Sequence, residues 1–195
     1  MYYIGDDESM TAREHLPEVE RALESLSDKP EWLTVPLMLA IVSRETIWGH
    51  VEGYSIKGSP EGMGDWSKRK GEEKARYHGF GFFQIDIGVH ADFIKTGKWK
   101  EVYEACRYVS VAVLIGNERW MIQHCQGKNY SWCQQDTPVL RLRRIVAGYN
   151  CGVGNSVKEI EPDSRTAHHN YSRDVVNDRL PTWTMWWNNA KDDGK

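Results

Sequence analysis

The most constraining stretch of this sequence is a run of apolar residues that leads to a single acid. Residues 35–42 read VPLMLAIV, and Glu45 follows within the segment LAIVSRETIWG. Thr34 suits an N-cap, Pro36 suits the first helical turn and a glycine follows the run, so the pattern predicts a helix over residues 34–48. A helix that is apolar all round is a buried one. The sequence therefore predicts a central helix around which the core is built.

Glu45 stands near the end of this predicted helix, where its surroundings decide what a carboxyl group can do. The residues three, four and seven positions before it are Val42, Ile41 and Met38, so its own helix face is apolar. Apolar surroundings favour the neutral form of a carboxyl group, and a carboxylic acid that keeps its proton can donate it. Glu45 is therefore a candidate general acid. The alternative is a structural side chain that pairs with Arg44 or another base.

The charge balance and the length exclude several classes of protein. The chain has 195 residues, with 25 Lys and Arg against 28 Asp and Glu, which gives a formal net charge of −3. No global basic field therefore points to nucleic acid. No run reaches the ~18 apolar residues of a membrane span, and the start MYYIGDDESM lacks the pattern of a signal peptide. We expect a soluble, monomeric protein with one domain over residues 1–195, whose recognition depends on a local site.

Apolar periodicity and turn residues predict a mainly helical protein with a small β-hairpin. Residues 50–78 are rich in glycine and charge and predict a long irregular loop, in which Lys68, Arg69 and Lys70 form a solvated face. The segment GFGFFQIDI at residues 79–87 has strand-forming residues and predicts the hairpin. Helices are predicted at residues 11–27, at 34–48, from about Trp99 to Cys125, from Pro138 onward and at about 170–190.

The four cysteines are sparse for a chain of this length. Cys125 and Cys133 flank a short polar stretch that a disulfide could close, and buried thiols are an equally good alternative. The cysteine spacing contains no Cys-x-x-Cys and no histidine at finger spacing, and His168 and His169 are adjacent, which directs their side chains apart. The sequence therefore gives no indication of a metal site.

Four short motifs follow one another in the chain: SRET at residues 43–46, GFGFFQID at 79–86, AGYNCGVGN at 147–155 and HNYSRDVVNDR at 169–179. In this order they resemble the motifs of the goose-type lysozymes and, more distantly, of the soluble lytic transglycosylases. In that superfamily the catalytic Glu ends a buried helix in an SRES-like motif, a GFGLMQVD-like strand follows, and an AYNAG-like segment closes the cleft. The resemblance covers residues 34–180 and implies a lysozyme-like domain with a buried central helix.

The resemblance implies two carboxyl roles, because glycoside hydrolysis needs a proton donor and a second carboxylate. Glu45 matches the proton donor. Goose-type enzymes invert the anomeric configuration, so a carboxylate about 6.5–9.5 Å from the donor would activate the attacking water. Asp86 in FQID matches the family's strand aspartate directly, and Asp65 in GMGDW resembles a WGD that precedes the strand. Alternatively, Asp86 is a cap or turn residue at the strand end, and Asp65 is a turn residue.

Further residues match positions that face the sugar in this superfamily. Aromatic faces and hydrogen-bonding groups suit an amphipathic sugar ring, so these residues are expected to bind the substrate. Trp48 and Trp66, near two of the proposed acids, are additional candidates for stacking. The predicted substrate-binding residues are Phe80, Gln84, His90, Tyr149, Asn150 and Tyr171.

The function implied by the resemblance is hydrolysis of β-1,4 bonds in peptidoglycan, without a cofactor or metal, by an enzyme that acts outside the producing cell. A chitinase of the same family, a lytic transglycosylase and a non-catalytic glycan-binding module are the alternatives. Two departures from the family pattern bear on the substrate: the insertion at about 50–78 is longer than usual, and Cys151 stands where Ala is common. The reaction class is therefore better defined than the polymer.

Overall fold

The computed structural model describes residues 2–125 and 135–193 of the chain. These residues are mainly helical and include one small antiparallel sheet, which confirms the predicted mainly α class. The chain divides into two compact units. The sheet unit comprises Tyr3–Asp28 and Ile41–Arg107, and the helical unit comprises Tyr2, Lys29–Ala40 and the described part of Tyr108–Lys195.

The secondary structure consists of helices of several kinds and three short strands. The described α-helices are α1 (Asp6–Glu24), α2 (Val35–Thr46), α3 (Ile87–Lys95), α4 (Val102–Tyr108), α5 (Gly116–His124), α6 (Pro138–Cys151), α7 (Val153–Ser156), α8 (Tyr171–Arg173) and α9 (Leu180–Asp193). π-Helical segments cover Val109–Ile115 and Asp174–Arg179, and 3-10 turns cover Lys98–Lys100, Pro162–Arg165 and Ala167–His169. The strands are β1 (Met63–Ser67), β2 (Arg76–Phe80) and β3 (Ile85–Asp86). None of the described helices combines the length and the apolar character that crossing a membrane requires.

The first helix begins earlier than residue 11, where the sequence pattern placed it. Asp6, Asp7 and Glu8 occupy its first turn, where carboxylates interact favourably with the helix dipole. This turn is polar, so it contributes nothing to the apolar periodicity from which the start was predicted. At the other end, the backbone N–H of Ser25 donates to the Arg21 carbonyl at 3.0 Å and closes the last turn.

Helix α2 confirms the predicted buried helix. The Thr34 hydroxyl accepts a hydrogen bond from the backbone N–H of Leu37 at 3.3 Å, so Thr34 is the N-cap. All side chains from Leu37 to Val42 are 0% exposed. The helix ends at Thr46 rather than at residue 48, because Ile47 and the residue after it have a left-handed backbone with φ of 49° and 52°.

The three strands belong to the sheet unit and lie in the order β1–β2–β3, with both neighbouring pairs antiparallel. β2 and β3 form the hairpin predicted at residues 79–87, and β1 adds a third strand. Gly79 in β2 pairs with Gly64 in β1 on one side and with Asp86 in β3 on the other. One row across the sheet therefore carries two glycines and a candidate catalytic acid.

The prediction that residues 50–78 form one irregular loop was wrong, because β1 and most of β2 lie within that range. β1 reads MGDWS, and Asp65 and Trp66 in it are exposed. This sequence lacks the alternation of apolar and polar residues that marks a half-buried strand. Its extended conformation depends on pairing with β2, and that tertiary contact is absent from a local sequence pattern.

Helix α6 is central to the helical unit, where it packs against α5, α7, α8 and both π-helical segments. It begins at Pro138 as predicted, and Thr137 caps it by accepting a hydrogen bond from the Leu140 N–H at 3.2 Å. The two other helices predicted after residue 99 are also present. π-Helical turns at Val109–Ile115 and Asp174–Arg179 interrupt their regular α-helical geometry.

A buried arginine ties α6 to the chain on both sides of the helix. The side chain of Arg144 is 0% exposed, and that of its partner Asp136 is 3% exposed. Arg144 Nε donates to Asp136 Oδ2 at 2.6 Å. The two Nη atoms donate to the backbone carbonyls of Ser156, Glu159 and Ile160 at 2.8, 2.9 and 2.8 Å. The buried charge is therefore fully paired and hydrogen-bonded, which is the condition under which burial of an ion is tolerated.

The described cysteines occur in two chemical states. Cys125 is disulfide-bonded, whereas Cys106 and Cys151 carry thiols. Cys133, the other residue of the predicted pair, lies outside the described residues.

Candidate active site

The predicted site residues form two groups that belong to different units. The sheet unit carries the candidate acids and the residues of the GFGFFQID motif. The helical unit carries the residues of the last two motifs. The first group is Glu45, Asp65, Phe80, Gln84, Asp86 and His90, and the second group is Tyr149, Asn150 and Tyr171.

Glu45 is half-buried and lies one residue before the end of α2. The next residue, Thr46, is fully buried, and its hydroxyl lies 3.1 Å from the backbone carbonyl of Phe82. This contact holds the C-terminal end of α2 against the connection between β2 and β3. The backbone at Glu45 is thereby fixed next to the segment that leads into Gln84 and Asp86.

The backbone is left-handed at several positions around the candidate acids. Among the described residues other than glycine, a positive φ occurs at Ile47, Trp48, Asp65, Gln84, His168 and His169. The first four belong to the sheet unit and either follow Glu45 closely or carry predicted site residues. Such a backbone costs about 1–3 kcal/mol for a residue with a Cβ, and it persists where the surrounding structure imposes it, often at functional sites.

Asp86 ends β3 and also caps α3. Its Oδ1 accepts a hydrogen bond from the backbone N–H of Gly88 at 2.6 Å, which is the N-cap contact of that helix. The Arg69 guanidinium binds both carboxylate oxygens, with Nη1 donating to Oδ1 at 2.9 Å and Nη2 lying 2.7 Å from Oδ2. The alternative interpretation of Asp86 as a helix cap is therefore correct. The cap interaction involves Oδ1 alone, and the described contact of Oδ2 is with Arg69.

The opposing effects of burial and positive charge set the pKa of Asp86. Burial acts to raise the pKa of this carboxyl group. The hydrogen bonds from Arg69 and Gly88, the positive charge of Arg69 and a contribution from His78 outweigh burial and bring the pKa below its ordinary value of 3.8. Asp86 is consequently a carboxylate at neutral pH.

The same guanidinium holds Asp65. Arg69 Nη2 donates to Asp65 Oδ2 at 2.8 Å, and the Ser67 hydroxyl donates to Asp65 Oδ1 at 3.1 Å. Arg69 thus bridges Asp65 on β1 and Asp86 on β3. All three side chains remain open to solvent, with 38% of Arg69, 50% of Asp65 and 37% of Asp86 exposed. The result is a pair of solvent-accessible carboxylates that share one cation.

A tight turn after β1 positions Arg69. The Glu72 N–H donates to the Arg69 carbonyl at 3.1 Å, and the Arg69 N–H donates to Glu72 Oε2 at 2.8 Å. Gly71, the third residue of this turn, has a φ of 91°, which favours glycine. Lys68 and Lys70 are exposed and Arg69 is partly open to solvent, but the prediction of a solvated face missed the two ion pairs of Arg69. The ion pairs were not predicted because both acidic partners of Arg69 lie on strands, outside the local charge pattern.

Gln84 packs against the two glycines of the central row of the sheet. Its Nε2 donates to the Gly81 carbonyl at 2.9 Å. A Cβ on Gly64 would lie 2.2 Å from Gln84 Oε1, and a Cβ on Gly79 would lie 2.3 Å from the same atom. A side chain at either position would require the Gln84 carboxamide to move. The two glycines therefore make room for the Gln84 carboxamide. Asp86 is the third residue of the same row.

His90 and Phe80 are fixed by other contacts of the sheet unit. His90 is half-buried at a kink in α3, where its φ is −117° and its ψ is 31°. Burial lowers the pKa of His90, and the Asp86 carboxylate acts in the opposite direction, so His90 lies within electrostatic reach of Asp86. The Phe80 ring packs edge-to-face on Trp99, with ring centroids 5.0 Å apart.

Tyr149, Asn150 and Tyr171 have structural contacts within the helical unit. The rings of Tyr149 and Tyr171 stack with centroids 6.5 Å apart and an interplanar angle of 16°. Tyr171 is 2% exposed, whereas Tyr149 is half-buried. Asn150 is exposed, and its Oδ1 accepts a hydrogen bond from the Ala167 N–H at 2.8 Å. These contacts give the residues structural roles, and their binding of a sugar stays a prediction.

Asp163, which no motif indicated, organises the segment that contains Tyr171. Its side chain is 0% exposed. Oδ1 accepts a hydrogen bond from the Ser172 N–H at 2.7 Å, and Oδ2 accepts hydrogen bonds from the Arg173 N–H and from Arg143 Nη2, both at 3.0 Å. Burial acts to raise the pKa of Asp163, but these hydrogen bonds outweigh burial and lower the pKa.

The two tryptophans proposed for stacking differ in accessibility. Trp48 is 0% exposed, and its ring contacts those of His15 and Phe82, so the prediction that it stacks on a sugar was wrong. The backbone at Trp48 is left-handed, with φ of 52°. Trp66 is 60% exposed and packs edge-to-face on Tyr77 with centroids 4.7 Å apart, which leaves an aromatic face next to Asp65 in β1.

The sheet unit therefore offers an acid, a carboxylate pair, an amide and an exposed indole for chemistry and binding. In residues 2–125 and 135–193, no group of three or more His, Cys, Asp or Glu side chains could hold a metal ion. Comparison of the chain with protein-family models and with curated proteins finds no match in either case.

Proposed function

We propose that this protein is a glycoside hydrolase of lysozyme-like fold that cleaves the β-1,4 bonds of peptidoglycan with inversion of configuration. Glu45 is the proton donor, and Asp86, together with Asp65, holds and deprotonates the attacking water. One observation carries the proposal. Two carboxylates bridged by a single guanidinium belong to the same compact unit as a half-buried acid at the end of an apolar helix.

The reaction needs one proton delivered and one proton removed. Glu45 gives its proton to the glycosidic oxygen while the bond from that oxygen to the anomeric carbon breaks. A water molecule forms the new bond to the anomeric carbon from the opposite face, and its proton passes to Asp86. One water is consumed, Glu45 ends as a carboxylate and Asp86 ends protonated. Proton exchange with solvent then restores both groups.

The hydrogen bonds of Asp86 leave room for this water. Among the described residues, Oδ1 accepts hydrogen bonds from Gly88 and Arg69, while Oδ2 is bound by Arg69 alone. A carboxylate oxygen has two lone pairs, so Oδ2 keeps one for a water. The low pKa makes Asp86 a weak base, which fits a transition state in which the water becomes acidic as it bonds to an oxocarbenium-like carbon.

Binding of an amino-sugar polymer is supported by the polar and aromatic groups around this pair. The Gln84 carboxamide is held rigidly against the central glycines of the sheet and offers a fixed amide. The exposed indole of Trp66 suits the apolar face of a sugar ring. Aromatic side chains together with a few fixed polar groups are the usual lining of ligand sites.

The test is to incubate the protein with purified peptidoglycan and, in parallel, with soluble chitin, and to identify the products by mass spectrometry. We expect muropeptides with ordinary reducing ends from peptidoglycan. Fragments one water lighter would indicate a lytic transglycosylase and contradict hydrolysis. Products from chitin alone would identify a chitinase, and binding to either polymer without products would identify a glycan-binding module.

A further inference from the structure

Arg69 connects the two carboxylates of the candidate site, and its geometry goes beyond simple charge neutralisation. We propose that Arg69 is the positioning residue of the water-activating pair: its guanidinium sets the separation of Asp65 and Asp86 so that one water can donate a hydrogen bond to each. This inference rests on the proposed function, because it explains how the attacking water is held.

The ion pairs of Arg69 define this arrangement. Nη2 lies 2.7 Å from Asp86 Oδ2 and donates a hydrogen bond to Asp65 Oδ2 at 2.8 Å, so both oxygens contact the same nitrogen. Two acceptors on the same nitrogen are close enough for a single water to bridge them. A water whose two hydrogens point at these oxygens directs its lone pairs away from the carboxylates. Those lone pairs are then available for the anomeric carbon.

The shape of the guanidinium matters as well as its charge. Nη1 binds Asp86 Oδ1 at 2.9 Å while Nη2 binds Asp86 Oδ2, so the planar group fixes the rotation of that carboxylate. The ammonium group of a lysine is a point charge and cannot make this forked contact while also binding Asp65. Arginine is therefore the residue type that this geometry requires.

Arg69 is itself held before any substrate binds. Its backbone N–H donates to Glu72 Oε2 at 2.8 Å within the tight turn after β1. Glu72 is fixed in turn by Arg76, whose Nη2 lies 2.8 Å from Oε1, and by His78, whose Nε2 lies 3.2 Å from Oε2. The turn, the glutamate and two residues of β2 thus anchor the cation that spans β1 and β3.

Loss of the cation has a predictable effect on protonation. The charged and titratable groups that act on Asp86 are Arg69 from the turn, His78 on β2 and His90 on α3, and Asp65 on β1 shares its cation. Without Arg69, the two carboxylates lose the cation that they share. Like charges at short distance favour uptake of a proton by one of them. The acidic limb of the activity profile should then move to higher pH.

The experiment compares Arg69→Gln and Arg69→Lys with Lys70→Gln, which removes the same charge from the exposed adjacent position of the same turn. The readout is the pH dependence of kcat and KM on a soluble peptidoglycan or chitin oligomer. For Arg69→Gln we expect a kcat roughly 10- to 100-fold lower, because misplacement of a reacting group costs this much. KM should change by less than about threefold, since binding and chemistry are separable readouts. The acidic limb should rise by about one pH unit.

The two other variants separate geometry from charge. Arg69→Lys should recover most of the shift of the acidic limb but only part of kcat, because the charge returns without the fork. Lys70→Gln should match the wild type in both. A folded Arg69→Gln protein with wild-type kcat and acidic limb overturns the inference, and so does a fall in kcat without a shift of the acidic limb, since a merely structural role would give that result.

A second measurement reads the carboxylates without turnover. Carbon-13 NMR of labelled aspartates follows the titration of Asp86 in the wild type and in Arg69→Gln. We expect its midpoint to rise in the variant, and an unchanged midpoint contradicts the inference. An inactive wild-type protein refutes the proposed function, whereas an active wild type with an unaffected Arg69→Gln variant refutes the role of Arg69 alone.

Discussion

Replacing Asp163 by Asn removes a buried charge from the helical unit. It also replaces one acceptor oxygen of the side chain by an NH2 group, which is a donor. The described partners of this carboxylate are all donors: the N–H groups of Ser172 and Arg173, the Thr166 hydroxyl and Arg143 Nη2. An asparagine has one oxygen acceptor, and its amide nitrogen can only donate. In either orientation of the asparagine amide, its NH2 group faces donors that are buried with it.

The structure allows the size of the effect to be worked out in two ways. Removing one partner of a buried ion pair costs about 3–5 kcal/mol. Losing two hydrogen bonds that involve charged groups, at about 1.5–3 kcal/mol each, gives a similar range. In a chain of this size each kcal/mol lowers Tm by about 2–4 °C, so Tm should fall by roughly 6–20 °C. Glu161→Gln is the matched control, because Glu161 binds the same Arg143 but is 46% exposed. Its cost should be about 1 kcal/mol or less.

The assay is urea denaturation followed by circular dichroism, at neutral pH and in steps down to about pH 3. The folded pKa of Asp163 lies below its ordinary value of 3.8. Its contribution to stability is therefore complete above that ordinary value and is lost as pH falls through the folded pKa. The difference between wild type and Asp163→Asn should accordingly shrink only at the acidic end. A neutral-pH difference no larger than that of Glu161→Gln, or one that does not change with acid, would refute this reasoning.

Three further predictions concern the sheet unit, the thiols and the stereochemistry. Gly79→Ala places a Cβ 2.3 Å from Gln84 Oε1 and should destabilise the fold by about 1–3 kcal/mol. Adding Gln84→Ala should recover much of that loss. Equal melting temperatures for the single and double variants would contradict the contact. Burial, with the nearby Asp163 carboxylate, raises the pKa of Cys151 to about 11. Alkylation of Cys151 by iodoacetamide should therefore be slow at neutral pH and become faster as the pH rises to that pKa. A rate that reaches its plateau near the ordinary thiol pKa would refute this prediction. Early NMR spectra of a digested β-linked oligosaccharide should show the α-anomer first, and a β-anomer would overturn the water-activating role of Asp86.

Features that depend on one stretch of chain could be predicted from the sequence. The buried helix follows from the apolar run before Glu45, and the start of α6 follows from Thr137 and Pro138, because capping and burial are written in neighbouring residues. The hairpin at residues 79–87 follows from glycine punctuation and strand-forming residues.

Features that depend on distant partners could not be predicted. Arg69 looked like part of a solvated charge run, since its carboxylates lie on separate strands. Asp163 and Arg144 carry buried charges that no motif indicates, because a local sequence does not reveal which carbonyls and N–H groups will converge on them. Asp65 matched a motif, yet the strand that contains it forms only by pairing with β2.

The most direct test of the proposed function is the activity of Glu45→Gln measured beside Glu52→Gln. Both substitutions replace a glutamate by its amide, and Glu52 is exposed in the loop after α2, so the pair separates loss of one acid from loss of one charge. The amide of Glu45→Gln has no acidic proton to give, and general acid catalysis contributes roughly 10²- to 10⁴-fold. We therefore expect at least about 100-fold slower release of reducing ends from peptidoglycan, with unchanged Tm and unchanged binding to the polymer, while Glu52→Gln keeps wild-type activity. A Glu45→Gln protein that retains more than about a tenth of the wild-type rate would contradict the assignment of Glu45 as the proton donor.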